Sequence, residues 1–171
     1  SVTMPENLST ENAFGAEFTA SYSPYKWWKT DGNFNFFRAI TDGGNLGESF
    51  QSDTYSWFTR LTSRFTIWKK TDLQLRGNYD ARVQTTQGYR KPRWYLDLAI
   101  SRDVLNNNGT ITLNVSDVFN SRRFRFVSEG DNFYTDNDFQ WRARQINLTF
   151  SYRLHQQKKK SDKKQGEGED F

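Results

Sequence analysis

Cysteine does not occur among the 171 residues, which excludes a disulfide framework, thiolate chemistry and any Cys-based zinc site. Histidine occurs once, as His155, after the last patterned segment, so a Ser-His-Asp constellation has no imidazole within the body of the chain. Neither catalysis nor a cofactor is expected. Long apolar runs are also missing. A spanning helix needs about 18 or more consecutive apolar residues, and the stretches here are only a few residues long. A basic, then apolar, leader does not precede Ser1, as expected if a signal has been removed or the chain is a piece of something longer. Cationic excess is small: the net charge of +4 is concentrated in Lys158, Lys159, Lys160, Lys163 and Lys164, so nucleic acid is not an expected partner.

What is present is aromatic and alternating. Aromatic residues reach 17% beside a mean hydropathy of −0.92, an unusual pairing for a soluble domain. A transmembrane β-barrel carries both properties, because polar residues facing its lumen alternate with apolar residues facing lipid. About seven segments show period-two alternation at the length of a tilted spanning strand, about 9 to 11 residues. In the first, Phe14, Ala16, Phe18, Ala20 and Tyr22 oppose Gly15, Glu17, Thr19 and Ser21. In the second, Asn33 and Asn35 oppose Phe34 and Phe36 before Phe37 and Arg38 break the phase, which suggests a bulge.

The third sets Trp57, Leu61, Phe65 and Ile67 against Arg60, Thr62, Arg64 and Thr66. The fourth sets Leu73, Leu75, Tyr79, Ala81 and Val83 against Gln74, Arg76, Asn78, Asp80, Arg82 and Gln84. Trp94, Leu96, Leu98 and Ile100 alternate with Tyr95, Asp97 and Ser101, and Ile111, Leu113 and Val115 with Thr110, Thr112, Asn114 and Ser116. The last runs Ile146, Leu148, Phe150, Tyr152 and Leu154 against Gln145, Asn147, Thr149, Ser151 and Arg153. Leu73, Leu75, Leu96, Leu98, Ile111, Leu113, Ile146, Leu148 and Phe150 are therefore expected to face lipid. Arg60, Arg64, Gln74, Arg76, Asn78, Asp80, Arg82 and Asp97 are expected to face the lumen.

Connection lengths alternate too. Pro24–Lys29, Lys69–Thr71 and Asn106–Gly109 read as short turns, the last on its Asn-Gly pair. Thr41–Thr54, Thr85–Pro92 and Ser128–Asn137 read as longer polar links. Short periplasmic turns and long external loops are the rule for outer-membrane barrels. Trp27, Trp28 and Trp68 sit beside short turns and Trp57, Trp94 and Trp141 near longer links, as two interfacial girdles would require. The same alternation also suits a secreted β-sandwich, an adhesive or ligand-binding module that buries one face against a second sheet.

The stretch ITLNVSDVFNSRRFRF, a strand running into Val118, Phe119 and Asn120, resembles the penultimate-strand signature of TonB-dependent outer-membrane receptors. MPENLSTENAFGAEFTASYSPYKWW, EGDNFYTDNDFQWRARQINLTFSYRL and the Lys-rich tail are similar to the Bacteroidetes-type outer-membrane β-barrel family of that architecture. The resemblance implies a barrel of about 22 strands in the bacterial outer membrane. It implies solute import, an N-terminal plug and further strands outside these residues, and a periplasmic energy-coupling protein acting through the plug. Residues 1–154 would be the C-terminal portion of the barrel and 155–171 a disordered periplasmic tail.

Two further clusters carry candidate chemistry. Glu129, Asp131, Asp136 and Asp138 share a loop expected to be external, but their spacing does not match a calcium loop and a solvated loop is expected. Arg142 and Arg144 continue the lipid-facing register of Ile146 and Leu148 at the external end. Their guanidinium forks suit lipopolysaccharide phosphates.

Overall fold

The computed structural model describes residues 10–42, 51–68, 70–130 and 132–154. Each of the seven period-two segments forms a strand. Seven long strands form one antiparallel sheet: β1 (Thr10–Tyr25), β2 (Trp28–Asp42), β3 (Ser52–Ile67), β4 (Thr71–Asp80), β7 (Arg93–Val104), β8 (Gly109–Ser116) and β11 (Gln145–Tyr152). They pair in that order, each with its neighbour in the meander. Between them, β5 (Val83–Thr85), β6 (Gly88–Arg90), β9 (Phe124–Gly130) and β10 (Phe133–Phe139) make a second sheet in the order β10-β9-β6-β5.

Register carries one face across the whole large sheet. Tyr22 opposes Thr30, Thr30 opposes Ser63, Ser63 opposes Leu75, Leu75 opposes Leu98, Leu98 opposes Val115 and Val115 opposes Ile146. Directly paired residues share a side, so the apolar sets of all seven strands fall on one surface, which we call the outer face. Phe14, Phe18, Leu61, Ile146, Leu148 and Phe150 stand exposed on it. The inner face carries the polar sets. The second sheet lies on the inner side: Ser56 Oγ donates to the Arg82 carbonyl at 2.9 Å, and the Gln84 N–H donates to Thr54 Oγ1 at 3.2 Å. Thr54 and Ser56 are buried beneath it. A sandwich would cover the apolar face instead, and among the described residues no sheet does so.

Four details differ from the sequence reading. The bulge expected at Phe37–Arg38 is not formed, because β2 keeps an unbroken register against β3 from Trp28 to Thr41. Phe37 simply occupies the inner face. Arg38 is tolerated on the outer face because Asp53 takes its guanidinium through Nε at 2.8 Å, while the rings of Phe14 and Tyr55 flank it. The register shift falls instead between Tyr22 and Tyr25, where Pro24 has no N–H to give the ladder.

The second difference is in the β7–β8 turn. Its left-handed residues are Leu105, Asn106 and Asn107 (φ 53°, 54° and 70°), not the Asn108–Gly109 pair. Gly109 serves close approach instead: a Cβ there would stand 3.1 Å from Val104 Cγ2 and 3.2 Å from Phe150 Cε2. Third, β4 ends at Asp80. Ala81 still donates its N–H to the Trp57 carbonyl, but Arg82 leaves the wall and lies 3.6 Å over the Tyr89 ring. Finally, two of the longer polar links, Thr85–Pro92 and Ser128–Asn137, form the turns and inner parts of the hairpins β5–β6 and β9–β10, whose strands reach beyond them to Val83, Phe124 and Phe139. The Lys-rich tail and His155 lie outside the described residues.

Aromatic side chains mark both ends of the sheet. At the short-turn end Tyr25 stacks on Trp27 at 5.4 Å and Trp28 on Phe65 at 5.7 Å. At the other end Trp57 stacks on Tyr79 at 4.8 Å and meets Phe34 at 5.7 Å, while Trp94 meets Phe119 at 5.5 Å. Two interfacial belts separated by an aliphatic band are the layout of a barrel wall.

Candidate functional site

The inner face is the surface on which a polar ligand can be held, and its charges fall into three levels. Nearest the short turns, Asp31 collects Lys29 at 3.2 Å, Arg64 at 3.0 Å and the Ser21 hydroxyl at 2.6 Å, while Arg64 also donates to Gln74 Oε1. Nearest the second sheet, Asp80 takes a fork from Arg93, whose guanidinium also lies 4.4 Å over Phe124. Between them Arg60 opposes Asn78 and Asn78 opposes Tyr95, and one step along Thr62 opposes Arg76 and Arg76 opposes Asp97. Arg60, Thr62, Arg76, Asn78, Tyr95, Asp97 and Arg122 line a cavity of about 570 Å³ in this middle level.

Arg64, Gln74, Asp80 and Asp97 thus sit on the inner face within hydrogen-bonded networks, and Arg60, Arg76 and Asn78 sit on it around the cavity. Arg82 does not share that surface. The aliphatic residues expected to face lipid, from Leu73 to Phe150, share the outer face by register.

The centre that sequence reasoning missed is Asp117. It is 2% exposed, with φ 55°. Its carboxylate accepts the N–H groups of Ser121 at 2.8 Å and Arg122 at 2.9 Å, and its own N–H donates to Asp97 Oδ1 at 2.8 Å. Asn120, also left-handed (φ 54°), accepts Gln140 Nε2 at 2.8 Å and the Arg144 N–H at 3.0 Å on its side-chain oxygen. Both residues lie in the stretch that carried the family resemblance. Asp and Asn tolerate the left-handed region because their short side chains bond locally, and here those bonds turn the chain from β8 toward β9. Arg122 is delivered by this turn onto Tyr95, 3.8 Å above the ring, and onto Asp97 Oδ1 at 2.9 Å.

Two acids of the β10 strand find cationic partners. Asp136 takes Lys91 Nζ at 2.7 Å and Asp138 takes Arg123 at 3.1 Å, pairing the β9–β10 hairpin with the segments around it. The Asp136 hydrogen bond holds the Lys91 amine above the ordinary lysine range. Asp131 lies outside the described residues, and among the described residues no three acids or histidines converge as a metal site. Arg144 donates to the Val118 carbonyl at 3.1 Å and precedes β11, and both Arg142 and Arg144 are exposed.

A second cavity, of about 580 Å³, lies against the second sheet and is lined by Tyr89, Arg90, Phe124, Phe126, Phe139 and Trp141, among others. A model of a protein family described as the outer membrane protein beta-barrel family matches residues 1–152. Comparison with curated proteins and with solved structures gives no match.

Proposed function

The chain belongs to the outer membrane protein beta-barrel family and resides in the bacterial outer membrane, and on that premise we propose that it is one sector of the wall of a TonB-dependent receptor importing a scarce solute. The observation that carries this reading is the inner face: predominantly polar, with the intervening hairpins folded over it as a second sheet. A wall that only sealed a membrane would have no use for such a cover, whereas an importer must recognise its solute at the mouth and admit it past polar groups.

Sheet edges support further strands. Among the described residues β1 and β11 each pair on one side only, and every unpaired backbone group facing hydrocarbon costs several kcal/mol. Neighbouring strands of a barrel of about 22 strands remove that cost. A plug domain fills the lumen, and a periplasmic energy-coupling protein acts through it. The outer face contacts lipid and, at the external end, lipopolysaccharide, toward which Arg142 offers a guanidinium fork. The protein performs no catalysis and binds no nucleic acid.

The test compares solute depletion from defined medium by wild-type cells, cells lacking the gene, and wild-type cells treated with a protonophore. Import by this route predicts a solute that only untreated wild-type cells deplete. Depletion that depends on the gene yet ignores the protonophore would identify a passive pore and overturn the reading.

A further inference from the structure

We infer that Arg60, Arg76 and Arg122 form an anion-binding subsite on the inner face, built for a carboxylate or phosphate group. The inference deepens the import reading and rests on it for the access of solute to this face.

Donors outnumber acceptors in the middle level. Arg64, Arg93 and Lys29 have carboxylate partners on the same face. Arg60 and Arg76 have neither an ion pair nor a hydrogen bond among the described residues, and both are exposed toward the cavity they line. They sit on adjacent strands, two residues off direct opposition, a diagonal of about 7 to 8 Å that long side chains span easily. Arg76 stands directly opposite Asp97, the one acid among the described residues that line this cavity. That carboxylate is engaged elsewhere, its Oδ1 accepting both the Arg122 guanidinium and the Asp117 N–H.

An anion of two or three oxygens answers the Arg60 and Arg76 guanidiniums at once, since guanidinium forks donate to carboxylate or phosphate in bidentate fashion. Arg122 is already oriented by Tyr95 and Asp97, so ordering it for binding costs little further entropy. The carboxylate has two sources, a free solute or an acidic side chain of a domain filling the lumen.

The test is arginine modification by phenylglyoxal on the purified full-length protein in detergent, read by mass spectrometry at Arg60 and Arg76, with and without tricarballylate or inorganic phosphate. A subsite for free solute predicts modification that either probe slows by about tenfold, with the double variant R60Q/R76Q losing affinity by about tenfold per arginine. A subsite filled from within the protein predicts protection before any probe is added, relieved by high salt. Modification of both arginines at one rate in every condition overturns the subsite. Energy-dependent uptake is measured separately, so anion binding without uptake would leave the subsite standing and remove the import reading alone.

Discussion

Arg76 and Asp97 face each other directly across the β4–β7 ladder, yet the ion pair at this level is made by Asp97 and Arg122, at 2.9 Å. A residue from the connection after β8 has displaced the cross-strand partner. The displacement depends on the turn at Asp117, whose carboxylate holds the Ser121 and Arg122 N–H groups.

Asp117→Ala should therefore destabilise more than its single buried side chain suggests. Two backbone donors lose their acceptor, a loss of about 2 to 4 kcal/mol. Urea unfolding of the protein in detergent, followed by heat-modifiable migration, measures it. The same variant should release Arg122 from Asp97; a midpoint equal to wild type would show that the turn is held by other contacts.

Leu75 lies in the middle of the outer face, in register with Leu98 and Ser63. Leu75→Arg should cost about 2 to 4 kcal/mol in a bilayer near its midplane. Gln74→Arg, one residue away on the inner face, should be tolerated. Refolding yields into lipid vesicles compare the two, and equal tolerance would contradict the assignment of faces.

Gly88 has φ +129°, and a Cβ there would overlap the Val127 carbonyl oxygen. Gly88→Ala should part β6 from β9 without disturbing the seven-stranded wall, because the two sheets pair separately. External protease should then cut within residues 85–90 or 124–130, in strands of the second sheet, in intact cells while heat-modifiable migration persists. Resistance equal to wild type would mean that the second sheet does not depend on that pairing.

Lys91 is an amine raised by Asp136 above its ordinary value of 10.5. A cation that gains a partner on folding adds stability in full below its unfolded value and loses it as the pH climbs through the raised folded value. The difference in protease resistance between wild type and Lys91→Met should therefore be constant across neutral pH and shrink only above about 10.5. A difference that vanishes near neutrality would contradict the pairing.

Much of the wall was legible because its physics is local. Alternation assigns each residue of β1, β3, β4, β7, β8 and β11 to a side without knowledge of its neighbours, and the register then joins those sides. Arg38 was misread as a phase break because its neutralisation comes from Asp53 on the next strand, a contact no single-strand pattern contains. Arg82 continued the alternation of β4 by sequence, but the pull of Ser56 and Thr54 on the chain from Arg82 to Gln84 breaks the strand there. Asp117 was hidden among the polar residues following β8; a lone Asp before Val-Phe-Asn-Ser signals a turn only once left-handed backbone is considered. Pairing of β6 with β9, separated by tens of residues, leaves no periodic trace at all.

The central claim is that one face of the seven-stranded sheet meets lipid and the other meets water. The chain contains no cysteine of its own, so single cysteines placed in turn from Leu73 to Tyr79 can be labelled in intact outer membranes with a charged thiol reagent. The account predicts labelling at 74, 76 and 78 and protection at 73, 75 and 79. Labelling without that alternation, or protection at the even positions and labelling at the odd ones, would contradict it.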